Sequence, residues 1–468
     1  MRFIHPKLNF IVVVCVAVLS GCTVGPKYRR PAVQAPDQFR GPAPEVTSPG
    51  TAANSVGDLN WESVYQDEQL RQLIRTALER NYDVRIAAER VIAAQAQLGI
   101  TRADQLPSVG VGASLFSQRQ NLGTRIPPVQ LEAGSVSASF AWELDFWGKY
   151  RKATEAARAN LAATEWGRRA VINTLIASVA TAYLQLRDLD AQLEITQKTL
   201  QSRKESLRLT QNLADGGRAS MADVRQAEQL VYTASAAIPT LQQQIEQQEN
   251  FISTLLGRNP GAIPRGMTLH DQPRLSSVPA GLPSALLERR PDIRQAEEQL
   301  IAANAQIGVA KAALFPSISL TGAAGFQSSA LTNLFTGPAG IWNAGASLFQ
   351  PVFEGGRLRN NLRLTESQQR QLLLRYEQTV QNAFRDVSDS LIAYKKTSEA
   401  REEQEHLVTA AQDSARLARI RYEAGSAAYL EVLTNETNFY DAELSLSRAR
   451  LNETLALVQV YNSLGGGW

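Results

Sequence analysis

The chain of 468 residues contains only two cysteines, three histidines and three methionines. Neither a disulfide framework nor a zinc site of the Cys/His kind can be built from so few. No uninterrupted apolar run reaches the roughly 18–20 residues that a spanning helix needs, which excludes a polytopic helical membrane protein. There is no surplus of one charge either. Basic and acidic residues number 48 and 45, a formal net of +3, which is too balanced for a nucleic-acid binder. Gly110-x-Gly112 lacks a third glycine, because Leu115 stands there, so a dinucleotide cradle fails. His270 and His406 have no partner histidine at ligand spacing and read as surface residues. No catalytic constellation, metal site or cofactor motif is visible. With 44% hydrophobic residues the chain is nevertheless a folding one.

What is present begins at the N-terminus. Arg2 and Lys7 precede a short apolar stretch over 10–19, followed by Leu19-Ser20-Gly21-Cys22. That order describes a secretory signal peptide over 1–21. The four residues resemble a lipobox, in which Cys22 is acylated (palmitate among its chains) and becomes the new N-terminus. Several acyl chains on one residue anchor a protein stably, where one alone is marginal. Thr23 follows Cys22, and the absence of aspartate there resembles sorting to the outer membrane. Residues 22–57 then carry Pro26, Pro31, Pro36, Pro42, Pro44 and Pro49, which predicts an extended linker.

The rest repeats itself. Residues 79–109 and 288–318, set at an offset of 209, are identical at fifteen of 31 positions. Trp147-Gly148-Lys149 faces Glu354-Gly355-Gly356-Arg357, Gly217 faces Gly425, and Asp223-Val224 faces Glu431-Val432. One copy occupies 58–266 and the other 283–468, with a proline-rich joint over 267–282.

Each copy contains two kinds of structure. Val136, Ala138, Phe140, Trp142, Leu144 and Phe146 alternate with small or polar residues, and three other segments do likewise. Strands are predicted at about 108–117, 135–146, 317–327 and 341–352, each long enough to cross a bilayer when tilted. Very long helical hairpins are predicted at about 149–256 and 357–464. Residues 149–213 hold no proline, and at ~1.5 Å per residue they span ~98 Å. Leu186, Leu193, Leu200 and Leu207 recur every seven residues, a coiled-coil spacing. Pro239 lies within the predicted fourth long helix.

Four membrane strands cannot close a barrel, and each backbone group left open in lipid costs several kcal/mol. Two chains supply eight strands and three supply twelve. Only the larger closure leaves a passage, so a conduit favours a homotrimer.

The chain resembles the outer-membrane factors of tripartite efflux systems, in particular the lipoprotein branch serving resistance-nodulation-division pumps. The resemblance rests on Leu287-Glu288-Arg289-Arg290-Pro291-Asp292-Ile293, Phe315-Pro316-Ser317, 142–149, and Arg421-Tyr422-Glu423-Ala424-Gly425 followed by 429–433. It implies a mainly α fold with a transmembrane β part. A trimeric 12-stranded outer-membrane barrel would be continued by a 12-helix barrel in the periplasm. It further implies a passive exit channel for drugs or other small molecules. Its partners would be a periplasmic adaptor, an inner-membrane pump and outer-membrane lipid, and it would need no cofactor beyond the lipid on Cys22. By the same resemblance the periplasmic hairpin tips close like an iris. Gly217 and Gly425 mark the tips. Asp223 would accept a hydrogen bond from Tyr422, and Leu430 and Glu431 would narrow the pore. The alternative is that Asp223 and Glu431 merely favour the first turn of their helices, where acids suit the dipole. Ala427 and Thr434 depart from residues that some members use in this gate. Trp142 and Trp342 fit either aromatic girdles or packing between chains. Two other readings remain: a type I protein-secretion channel, or a periplasmic structural or adaptor lipoprotein.

Overall fold

The computed structural model describes residues 23–36, 38–40, 55–121, 127–273, 279, 281 and 283–466. The signal peptide and Cys22 lie outside these. Eleven main elements follow in order: α1 (Glu68–Arg80), α2 (Tyr82–Ala103), β1 (Ser108–Gln120), β2 (Val129–Leu144), α3 (Lys149–Asp215), α4 (Met221–Leu255), α5 (Pro291–Ala312), β3 (Ser317–Ser328), β4 (Gly340–Phe349), α6 (Arg357–Glu423) and α7 (Tyr429–Ser463). α3 and α6 each have 67 residues, α4 and α7 each have 35. From α2 and α5 onward the two copies match element for element, while α1 is matched in the second copy only by short helical turns over 283–289. β1 and β2 run further toward their joining loop than the apolar alternation alone indicated. α4 continues through Pro239.

Two compact units are built from interleaved stretches. Among the described residues, one comprises those within 23–32, 90–164 and 295–377; the other comprises those within 33–89, 165–294 and 378–466. Both copies contribute to each.

The first unit holds the sheet, a fully antiparallel β1-β2-β3-β4 meander. Its register puts Val111, Ala138, Ala324 and Trp342 in one cross-strand row and Val109, Phe140, Gly322 and Ala344 in another. Trp142, Leu320 and Ala346 follow on the same face, then Leu144, Ile318 and Leu348. Residues directly opposite in such a ladder share a face. The alternate rows are small and polar: Gly110, Ser139, Ala323 and Asn343, and Ser108, Ala141, Thr321 and Gly345. One face is therefore apolar and the other hydrophilic. In the single chain Val111 is 79% exposed and Trp342 81%. β1 and β4 are edges, with their outer hydrogen-bonding sides open among the described residues.

Below the sheet, Asp145 caps α3 by accepting from the backbone N–H groups of Tyr150 (3.0 Å) and Arg151 (2.8 Å). The Trp142 indole N–H donates to the Gln105 carbonyl at 3.0 Å, and that of Trp147 to the Pro316 carbonyl at 2.8 Å. The N-terminal segment is extended, as its prolines demand, but it is docked rather than free. The Val24 N–H meets the Trp147 carbonyl at 3.0 Å, the Asn304 amide donates to the Pro26 carbonyl at 3.2 Å, and Arg30 pairs with Glu297 at 3.0 Å.

The second unit has its apolar centre where α1 (Leu70, Ile74, Ala77) and the middle of α3 (Ile176, Val179, Tyr183) are fully shielded. Asp67, 1% exposed, ties that region together. It caps α1 through the Gln69 N–H and accepts from the Tyr183 hydroxyl and the Met267 N–H, both at 2.9 Å.

The leucine spacing of α3 is a partial guide to its packing. Leu186 is buried, but Leu193, Leu200 and Leu207 are half-buried. The fully buried stripe between 188 and 210 consists of Asp188, Gln192, Thr196, Arg203, Ser206 and Thr210. Steps of three, four and seven keep these on one helical face.

Candidate gating site at the hairpin tips

Each long hairpin turns through the same device. The Gly217 N–H donates to the Ala214 carbonyl (2.9 Å) and that of Arg218 to Leu213 (2.8 Å). In the other copy Gly425 donates to Tyr422 and Ser426 to Arg421, both at 2.9 Å. These paired bonds are Schellman motifs, and they need a residue of positive φ. Gly217 (φ 68°) and Gly425 (φ 72°) supply it, which explains the glycines that the repeat aligned.

The helices leaving the two turns start differently. α4 begins with a complete capping box: the Asp223 N–H donates to Ser220 Oγ at 3.2 Å, and the Asp223 carboxylate accepts from the Ser220 N–H at 2.9 Å. At the equivalent place in α7 stands Ala428, which offers no side-chain cap. Glu431 is released from that duty and pairs with Arg421 at 2.6 Å, across the turn.

Behind the turns Ala227, Ala418, Tyr422, Tyr429 and Val432 form an apolar plug, and the two tyrosine rings meet edge-on at 5.4 Å. Burial pushes the Tyr429 hydroxyl up to about 12, with the Ser206 hydroxyl acting against it. Burial also raises Tyr422; the Thr210 hydroxyl opposes this and the nearby Asp223 charge adds to it. The hydrogen bond expected from Tyr422 to Asp223 is not formed here. Tyr422 Oη is shielded with the Thr210 hydroxyl beside it and makes no bond to Asp223, whose carboxylate is turned to its own helix start. Leu430 is 60% exposed, on the outside of the first turn of α7. The structure therefore brings Asp223 and Tyr422 together as neighbours, places Glu431 in an ion pair and leaves Leu430 free.

Sequence reasoning missed Ser220 and Arg421. The Ser-x-x-Asp spacing was a readable signal for the first. For the second, only the folded turn shows that Arg421 reaches Glu431.

Further along the same coil Asp188 is 5% exposed and accepts from the Ser447 hydroxyl and the Gln192 amide, each at 2.6 Å. Burial raises its pKa, against those two donors and Arg448. A carboxyl raised in the folded state binds its proton more tightly there than in the unfolded chain. It therefore contributes stability at low pH and withdraws it as pH rises through the folded value. Asp188→Asn should accordingly raise the melting temperature at pH 7, with the gain shrinking toward about pH 4. Circular-dichroism melts at the two pH values check this, and a loss at pH 7 would contradict it.

Among the described residues no group of three or more His, Cys, Asp or Glu is placed to hold a metal ion, and no helix is long and apolar enough to cross a membrane. The part suited to lipid is the sheet, with one apolar and one hydrophilic face, and it marks a membrane protein whose spanning part is β-structure.

Comparison with known proteins names the class further. The family model described as outer membrane efflux protein matches twice, over residues 73–258 and 282–466, one match to each copy. The toluene efflux pump outer membrane protein TtgC of Pseudomonas putida is 37% identical over 456 residues, covering 96% of this chain and 94% of its own length. The cation efflux system protein CusC of Escherichia coli is 34% identical over 458 residues, covering 97% and 98%. The crystal structure of the open state of the MtrE outer membrane channel of Neisseria gonorrhoeae superposes with a TM-score of 0.85 at 32% identity, over 95% of this chain and 98% of that one. The chain belongs to the outer membrane efflux protein family, and it is an outer-membrane exit channel for efflux.

Proposed function

We propose that three copies of the chain close a 12-stranded barrel in the outer membrane, and that the hairpins enclose a continuous passage whose periplasmic mouth is gated at the tips. The observation that carries this reading is the sheet: one apolar face, one hydrophilic face and two open edges in a single chain. Open edges are untenable in lipid, and joining β4 of one copy to β1 of the next removes them all. The channel is passive and carries out no catalysis. Acyl chains on Cys22 anchor it, and the segment that follows is docked through the Val24 N–H to the Trp147 carbonyl. A periplasmic adaptor and an inner-membrane pump deliver the cargo. Relatives named for toluene and for cations bracket that cargo as small molecules or ions.

Asp223, Tyr422, Leu430 and Glu431 form the gate. In the ring the exposed Leu430 side chain narrows the mouth, and in the closed gate the Tyr422 hydroxyl donates to the Asp223 carboxylate. Detergent-extracted protein should migrate as a trimer unheated and as a monomer after boiling. In planar bilayers Tyr422→Phe and Asp223→Ala should both raise single-channel conductance. A monomer released from membranes by washing overturns the channel assembly. Unchanged conductance in both variants overturns the gate alone. A deletion strain challenged with solvents, antibiotics and metal cations then identifies the cargo class.

A further inference from the structure

The buried stripe of α3 faces α7 with polar groups almost throughout. Asp188 meets Ser447, and the Thr196 hydroxyl meets that of Tyr440 at 3.0 Å. Nearer the tip, Arg203 is only 2% exposed. Its Nη1 donates to the Leu230 carbonyl of α4 at 3.0 Å, within its own hairpin, and its guanidinium lies 5.1 Å from the centre of the Tyr440 ring. Its Nε has no partner among the described residues. Glu436 of α7, in the other hairpin, stands one turn before Tyr440 and faces the charges of Arg419 and Arg203, yet its Oε2 is shielded and without a hydrogen-bond partner among the described residues. A buried cation and a half-buried carboxylate thus lie near each other, each with an unsatisfied atom. Within the α6–α7 hairpin itself, by contrast, a buried arginine and a buried carboxylate do face each other as an ion pair, Arg401 and Glu453 at 2.8 Å. Leaving such atoms unmade costs free energy that a modest shift would recover.

We infer that Arg203 is a positioning residue for the gate, exchanging its bond to the Leu230 carbonyl for one to the Glu436 carboxylate when the α6–α7 hairpin shifts against α3–α4. In the conformation described, the guanidinium is held on its own hairpin and Glu436 Oε2 makes no hydrogen bond to it, the carboxylate being met instead by the Arg419 charge and the Ser206 hydroxyl. In the alternate conformation the pair is made across the hairpins, and α7 carries Tyr429 and Leu430 with it. Serine, threonine and tyrosine hydroxyls along the seam can change partners during that shift, as apolar knobs locked in holes cannot. Two discrete bonding arrangements of one buried group supply the two-state element that a gate requires. The inference rests on the tips acting as a gate.

The experiment uses the full-length oligomer in planar bilayers and in parallel on unheated gels. Glu436→Gln keeps the shape and removes the charge that Arg203 would reach. It should lower the fraction of time spent in the higher-conductance level several-fold, with the heat-stable oligomer retained. Arg203→Met should do the same, and Arg203→Lys should restore most of the opening. Opening unchanged in Glu436→Gln and Arg203→Met overturns the inference. So does a loss of opening that merely tracks a loss of heat-stable oligomer, or one that Arg203→Lys fails to restore. Failure of the gate itself is read separately, from Tyr422→Phe and Asp223→Ala.

Discussion

Arginine at Ala324 should abolish the membrane-inserted, heat-modifiable oligomer, whereas arginine one residue earlier, at Ala323, should leave it intact. Ala324 sits mid-strand in the row of Val111, Ala138 and Trp342, on the apolar face. A guanidinium there would point into hydrocarbon, at about 2–4 kcal/mol per chain near the bilayer midplane, and a closed ring pays it in every copy. Ala323 lies between Ser139 and Asn343 on the hydrophilic face. Its arginine would stand in the aqueous lumen, so insertion should persist while ion selectivity shifts toward anions. Fractionation with unheated gels reads the first effect and reversal potentials in a salt gradient read the second. The opposite pattern would mean that the two faces have been assigned the wrong way round.

The second large effect is expected at Arg401. Its side chain is 8% exposed, and it serves Glu453 at 2.8 Å, Glu405 at 2.9 Å and Glu402 at 3.2 Å. Glu453 is itself only 5% exposed on its side chain, so Arg401→Ala leaves a buried carboxylate without its cation. Breaking a buried pair from one side costs about 3–5 kcal/mol. Replacing both partners with apolar residues of similar volume is far milder, so Arg401→Met combined with Glu453→Leu should recover most of the loss. Helical melts of the single and double variants measure this. An Arg401→Ala melt within a degree or so of the parent would show the pair to be solvated in solution.

The β part was nearly all legible in the sequence, because period-two alternation and face assignment are the same fact seen twice. Trp342 and Val111 share a face because a one-residue slip would turn every side chain of a strand to the other side, although the row they share is set only by the folded pairing. The helix turns were equally legible, since Gly217 and Gly425 occupy positions where only a residue tolerant of positive φ fits. The interior of the coil was not. Leucines every seven residues suggested an apolar seam, but three of those four leucines are only half-buried, and the shielded face carries Asp188, Arg203 and Thr210 instead. A periodic pattern locates a helical face without saying which neighbour covers it. The residues proposed for the gate do stand beside the turns, as their positions implied, but their bonding was not legible. Asp223 is spent on a capping box that Ser220 makes possible, and the exchange of Ser220 for Ala428 in the second copy frees Glu431 for Arg421. Such bonds depend on side-chain reach across a turn, which spacing alone leaves open.

The open outer sides of β1 and β4 also bear on heredity. In the trimer proposed here, a chain that needs two neighbours before it can enter the membrane matures at a rate that drops steeply as its own abundance drops. It can likewise be spoiled by company. A copy with one ruined edge strand but intact helices would still join nascent rings and prevent them from closing. Expressed equally with the normal copy and mixing at random, it would leave roughly one ring in eight free of the defect. Edge-strand lesions should therefore behave as dominant ones, and lesions that unfold the chain outright as recessive.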